Sequence, residues 1–295
     1  MSKQLKGSLS ILVATIIWGS TFVAQSVGVE KIGPFSFLGL RCFLAVAALI
    51  IVLFIKNGKP AVEIVLDKRL WKAGIPCGVA LFVATALQQI GLIYTSAGKG
   101  GFITAMYILL VPIFGLFLKR KPSKLVGLSV IIAIIGLYLI SGIGYTTVNI
   151  GDLLMLGCAA AFAVQILILD KVAADLDSMA LNMAQALVCA VISGICALCF
   201  ETLVWENILD CWFPLCWAGI MSMGIAYTLQ IVGQKSIEPT TASLLMSFES
   251  VFAAISGWLL LGESFTVTEG VGCMLVFGAI IISQIPTKKK NKAPV

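Results

Sequence analysis

Glu249 and Arg41 carry charge where this sequence otherwise has none. Each interrupts a long run free of other Asp, Glu, Lys or Arg: Glu249 between Glu238 and Glu263, and Arg41 seven residues beyond Pro34. A carboxylate surrounded by hydrocarbon is costly, so Glu249 is expected to face protein or water, where it is neutral, paired or hydrating a cavity. That makes it a candidate for taking up and releasing a proton, and equally a candidate for a structural acid bonded to a neighbouring helix. Arg41 and Lys99 are candidate charge partners. Arg41 pairs with Glu249 only if its guanidinium reaches inward rather than snorkelling outward, and Lys99, in the segment AGKGGF, suits an anionic substrate as well as a capping role.

Uncharged polar groups gather in similar runs. Gln88, Gln89, Gln165, Asn182, Gln185, Gln230 and Gln234 all lie in apolar surroundings, and such amides either line a hydrated cavity or bond helix to helix at about 0.6–2 kcal/mol each. Trp18, Ser20 and Tyr107 add aromatic and hydroxyl surface at comparable depth. The sequence contains no histidine, so zinc-type His clusters and Ser/His/Asp sets are excluded, and it has no phosphate-cradling Gly-Lys-Ser loop. No cofactor, no metal and no enzyme activity are expected.

The elements that position these groups follow from composition. Of 295 residues, 60% are apolar and 12% are charged, against roughly 25% charged in a soluble domain. A water-soluble fold, a Cys-rich secreted scaffold and a disordered chain are therefore excluded. Ten apolar windows, 7–29, 32–55, 73–98, 100–118, 125–151, 153–169, 178–200, 211–234, 239–262 and 270–287, are each 17 to 27 residues long. A helix rising 1.5 Å per residue needs about 20 to cross the bilayer core. Backbone amides in lipid must be bonded internally, which predicts an all-α integral membrane fold of ten transmembrane helices.

Basic residues set the orientation. With the amino terminus in the cytoplasm, seventeen fall on that side, including Lys3, Lys6, Lys56, Lys59, Lys119, Arg120, Lys121 and Lys235, and only Lys31 and Lys99 on the other. Both termini are thus expected to be cytoplasmic. The terminal run Lys288, Lys289, Lys290 and Lys292 reads as a stop-transfer flank, and no nucleic-acid partner is expected despite a net charge of +6. The first window exceeds the roughly 7–15 residue core of a cleaved signal and lacks a small-x-small site, so it is expected to remain as a span.

Ten windows divide into two sets of five, residues 1–148 and 149–295, which overlay faintly. Gly7 falls on Gly151, Leu9 on Leu153, Gln89 on Gln230 and Gly136 on Gly278, with Trp18 opposite Phe162 and Arg41 opposite Gln185. An odd number of spans per copy turns the second copy upside down, the layout of transporters that bind substrate at the midplane between inverted halves. Chance matching of Gly and Leu between any two helix sets is the competing explanation. Pro112 is expected to kink the fourth helix, and the close-spaced glycines to let helices approach. The nine cysteines read as apolar fillers, although Cys196, Cys199, Cys211 and Cys216 fall near the outer ends of the seventh and eighth helices, where a disulfide in an oxidising exterior is an alternative.

Four segments carry a family resemblance: IIWGSTFV at 16–23, LRCFLA at 40–45, YTSAGKGGFITAMYILLVP at 94–112 and TTASLLMSFESVFAAISGWLLLGE at 240–263. With these, the chain resembles the ten-span EamA-type branch of the drug/metabolite transporter superfamily over essentially its whole length. Members usually carry Glu-Pro where this chain has Glu249 and Ser250, so the residue that would kink the ninth helix is missing. The resemblance implies an inner-membrane exporter or exchanger of amino acids, other small metabolites or amphipathic drugs, working by alternating access. It implies two inverted five-helix repeats and a cavity framed by the first, third, fourth, sixth, eighth and ninth helices, with Trp18, Gln88, Gln89, Tyr107, Gln165, Gln230 and Glu249 on or near it. The expected partners are a small-molecule substrate, the bilayer and protons as a candidate coupling ion, in a monomer or a homodimer. The alternatives are a multispan membrane enzyme acting on lipid-like substrates, which would need acids clustered at one surface, and a noncatalytic membrane partner or lipid scramblase subunit.

Overall fold

The computed structural model describes residues 2–58, 60–95, 97–119, 122–140, 149–262, 266–283 and 285. Lys59, Arg120, Lys121, Glu263 and the Lys288, Lys289, Lys290 and Lys292 tail lie outside them. Every regular element among the described residues is a helix: α1 (Lys3–Lys31), α2 (Pro34–Asn57), α3 (Pro60–Leu66), α4 (Lys68–Gly91), α5 (Ala97–Thr104), α6 (Tyr107–Phe117), α7 (Lys124–Ile140), α8 (Ile150–Val172), α9 (Ser178–Phe200), α10 (Trp205–Asp210), α11 (Trp212–Cys216), a π-helical stretch (Trp217–Ala226), α12 (Tyr227–Gln234), α13 (Pro239–Met246), α14 (Glu249–Leu261) and α15 (Val267–Ser283). Eight of these, taking α5 with α6, α11 through α12, and α13 with α14 as single passages, are long and apolar enough to cross a membrane; α7 and α15 are shorter apolar helices of 17 residues. Their outward faces stay greasy, with Ile55, Phe117, Leu198 and Phe200 exposed. Water would reject such a surface and lipid accepts it.

Local chemistry fixes several boundaries. Pro34 opens α2 at the first-turn position where its missing N–H costs nothing. The carboxylate of Glu201, at the end of α9, accepts from the Phe35 and Ser36 amides at 2.8 Å each and so caps α2 from another helix. α8 begins three residues earlier than the charge of Asp152 suggests, because Asn149 and Asp152 form a capping box that draws Gly151 into the helix.

Small residues set the pairing. Gly7 of α1 lies against Gly233 of α12, and Gly151 of α8 lies against Gly91 of α4; a Cβ at any of the four would meet the facing carbonyl oxygen at 2.8 to 3.3 Å. Gly78 of α4 sits over Gln185 and Val188 of α9, and Gly219 over Arg41 and Leu44 of α2. α2 and α9 run antiparallel, bridged by Glu201 at one end and by Lys56 with Asp177, 3.5 Å apart, at the other. α7 packs on α15 through Gly136 and Gly272.

Two passages are broken. Between α5 and α6 the bonds tighten to Met106 N–H on Ile103 and Ile108 N–H on Ala105; between α13 and α14 the same step runs through Phe248 on Leu245 and Ser250 on Ser247. No proline is needed for the second break. The Ser247 hydroxyl turns back on the Leu244 carbonyl at 2.7 Å and that of Ser243 on Thr240 at 2.9 Å, a competition that bends helices. Pro112 lies inside α6, beyond the first break. All nine cysteines are free thiols.

Candidate functional site

A cavity opens at the level of the two breaks. Trp18, Thr21, Phe22 and Gln25 of α1 line it along one stripe, joined by Arg41 of α2, Gln88 of α4, Tyr107 of α6, Phe162 and Ile166 of α8, Ser222, Tyr227 and Gln230 of the eighth window, Met246 and Glu249. Its volume is about 40 Å³, room for roughly three or four waters at about 10–15 Å³ each. A metabolite larger than that enters only if the helices part.

Glu249 is buried at the first position of α14, where the free amides of a helix start favour a carboxylate. Its Oε1 accepts from the Tyr107 hydroxyl at 2.9 Å. Tyr107 opens α6, so the two groups meet where their helices are broken. The next residue, Ser250, donates to the Gly101 carbonyl at 3.0 Å and fixes α14 to α5. Around them the rings interlock: Trp18 stands edge-on to Tyr227 at 5.0 Å between centroids, and Tyr107 edge-on to Phe162 at 6.4 Å.

The sequence-predicted residues divide. Trp18, Gln88, Tyr107, Gln230 and Glu249 border the cavity. Gln89 and Gln165 do not: Gln89 donates to the Gln25 carbonyl at 3.2 Å, and Gln165 joins a chain of amides. In that chain Gln230 donates to Gln165, Gln165 to Gln185, and Gln185 to Asn182, at 3.2, 3.2 and 2.9 Å. Asn182 ends it on the Met223 and Gly224 carbonyls, at 2.9 Å each, inside the π-helical stretch. A π-turn leaves carbonyls off the ordinary ladder, and the Asn182 amide takes them up.

Lys99 lies away from the cavity, in an ion pair with Asp152 at 2.6 Å that joins α5 to α8. Arg41 lines the cavity, yet among the described residues no carboxylate comes within 4.0 Å of it. Its Nη1 donates to Gln25 Oε1 at 2.6 Å and its guanidinium stands 5.8 Å from the centre of the Phe37 ring. Gln25 and Tyr227 line the cavity without being among the sequence-predicted residues. Helical spacing holds the signal for both: Gln25 continues the stripe of Trp18, Thr21 and Phe22, and Tyr227 lies three before Gln230. At the end of α12, Lys235 donates to the Leu176 carbonyl, and burial pushes its ammonium below the usual lysine value against the pull of Asp177 and Asp175.

The profile of the EamA-like transporter family matches twice, over residues 5–142 and 149–284. An uncharacterised transporter of Archaeoglobus fulgidus is 30% identical over 286 residues, spanning 95% of this chain and 86% of its own. The threonine/homoserine exporter RhtA of Escherichia coli K12 is 26% identical over 183 residues, 60% of each chain. A crystal structure at 19% identity superposes with a TM-score of 0.77 over 94% of this chain and 97% of its own, so the fold is shared.

Proposed function

Because the chain belongs to the EamA-like transporter family, we propose that it is a secondary transporter whose cavity beside Glu249 opens to the two sides of the membrane in turn. The observation that carries this reading is the meeting of Tyr107 and Glu249 at two helix breaks around one cavity. A broken helix can rearrange at its break without unmaking either half, and irregular backbone at membrane depth is tolerated only around such a cavity. The small volume of the cavity fits a contracted state between openings.

Alternating access is most simply built from two inverted five-helix halves, residues 1–148 and 149–295, and α7 and α15 then complete the count of ten spans. The glycine contacts support this, because each pair exchanges into another. Gly7 with Gly233 becomes Gly151 with Gly91, and Gly219 over Arg41 and Leu44 becomes Gly78 over Gln185 and Val188. The charge distribution supports cytoplasmic termini in a cell (inner) membrane. The substrate is a small metabolite, and the amino acids named for RhtA are one class that suits a cavity with acid, guanidinium and amide walls. Export or exchange, with Glu249 as the proton-coupling acid, completes the reading.

The test is counterflow of labelled amino acids, nucleosides, sugar phosphates and cationic drugs into proteoliposomes, preceded by a thermal-shift screen of the same panel, since a bound ligand raises apparent stability by mass action. Accumulation of one class against empty liposomes supports the reading. Absence of counterflow for every class, as an enzyme or a scaffold would give, overturns it.

A further inference from the structure

Arg41 presents an imbalance that the protein itself leaves open. The side chain is 2% exposed and borders the cavity, and its Nε–H is buried with no hydrogen-bond partner. The guanidinium's contacts are a neutral amide oxygen and an aromatic face. Neither cancels a unit charge, and among the described residues no carboxylate lies within 4.0 Å. Arginine keeps its proton in proteins, so the charge cannot be shed by neutralising the group. A buried cation without a counter-ion is strongly unfavourable, and the imbalance ends when an anion enters beside it.

The same wall holds a second open donor. Trp18 Nε1–H is also buried and unpartnered, on a side chain bordering the same cavity. On the accepting side Gln230 Oε1 is unpartnered as well, and Glu249 lies on the rim. Open donors and open acceptors thus share one enclosure, beside the apolar surfaces of Phe22, Phe162 and Ile166.

We propose that Arg41 is the counter-ion of a carboxylate on the transported solute, bound through its free Nε–H, so that the cavity selects carboxylate-bearing metabolites. This rests on the transporter reading and narrows it. The carboxylate comes from an amino acid, whose ammonium then faces Glu249 and Gln230, or from an organic acid without an amine. Guanidinium is suited to the task because its planar fork matches a carboxylate, which a lysine ammonium does not.

The experiment uses the full chain in proteoliposomes and compares three matched sets: amino acids, their carboxamides and the corresponding 2-hydroxy acids. A fourth set of nucleosides and cationic drugs is run beside them. The expected result is flux, and a thermal shift of the purified protein, for at least one amino acid or hydroxy acid, with its carboxamide about tenfold weaker or worse. Response to the amino acid alone identifies a zwitterion, and response to the hydroxy acid as well identifies a simple acid. Arg41→Gln should remove the discrimination, and Arg41→Lys should restore it in part. The comparison of acid with carboxamide in the unaltered protein stands even if a variant fails to fold. Equal response to acid and carboxamide, discrimination that survives in Arg41→Gln, or flux confined to the fourth set would overturn the carboxylate site while leaving transport intact. Silence from all four sets would overturn both.

Discussion

Tyr107 and Glu249 stand 142 residues apart, each at the first position of the second half of a broken passage, and their side chains meet at 2.9 Å. Gly136 and Gly278 overlay at the same separation of 142 and Gln89 and Gln230 at 141, so the contact falls at equivalent points of the proposed repeats. The tightened backbone bonds around them also match, residue for residue, at that offset.

Replacing the acid tests whether this contact belongs to transport. Glu249→Gln keeps the shape and still accepts from Tyr107, so the purified protein should remain monodisperse. Flux driven by a pH gradient should be lost, because the amide cannot carry a proton. An unchanged pH dependence of transport in the variant defeats the coupling role.

The pair should also be energetically linked. In a double-mutant cycle of Tyr107→Phe and Glu249→Leu, each of which removes one partner of the bond, read by thermal or denaturant unfolding, the coupling is expected to be about 0.5–3 kcal/mol. A value indistinguishable from zero would mean that the observed bond adds nothing to the fold.

The ion pair of Lys99 with Asp152 makes a different demand, since both side chains are about one-tenth exposed and the aspartate also belongs to the capping box of α8. Asp152→Ala removes both at once and should cost about 2–4 kcal/mol. Asp152→Asn keeps part of the box and should cost less. Equal thermal unfolding of the two variants would count against the box.

Part of this was legible because charge in hydrocarbon is conspicuous: Glu249, isolated among apolar residues, borders the cavity, and so does Arg41, whose direction the sequence left open between inward reach and outward snorkelling. What composition could not give was direction around a helix. Gln88 and Gln89 are neighbours of one type, yet one borders the cavity and the other bonds the α1 backbone, because consecutive residues point about 100° apart and only the packing partner decides which faces inward. The breaks were hidden for a related reason. With Ser250 in place of the proline that the resemblance associates with a kink, the ninth helix offered no visible cause for a bend, whereas the structure breaks it beside the Ser243 and Ser247 hydroxyls, whose turn onto backbone carbonyls depends on a rotamer. The carbonyls of the π-helical stretch are met by Asn182, a residue of another helix that no local pattern singles out.

Orientation is testable at two exposed positions. Lys72 lies near the start of α4 and Glu206 lies in α10, at opposite ends of the alternating passages. In a background without native cysteines, Lys72→Cys should be labelled by an impermeant thiol reagent only after the membrane is opened, and Glu206→Cys in intact cells. Labelling from the same side would overturn the proposed topology.

The packing of α1 on α14 yields the sharpest stability test. A Cβ at Gly19 would lie 2.3 Å from the Phe252 Cβ and 2.8 Å from the Ala253 amide nitrogen, so the new methyl meets backbone that cannot rotate away. Overpacking of this kind costs about 1–3 kcal/mol. At Gly127 of α7 nothing lies within 4 Å of the same methyl. Gly19→Ala should therefore lower the unfolding temperature, whereas Gly127→Ala should leave it unchanged or raise it, since alanine is the better helix former. Because Gly19 is one residue from Trp18 on the cavity wall, the displaced α1 should also weaken ligand-induced stabilisation in Gly19→Ala and not in Gly127→Ala. Equal effects of the two substitutions would show that α1 does not approach α14 this closely.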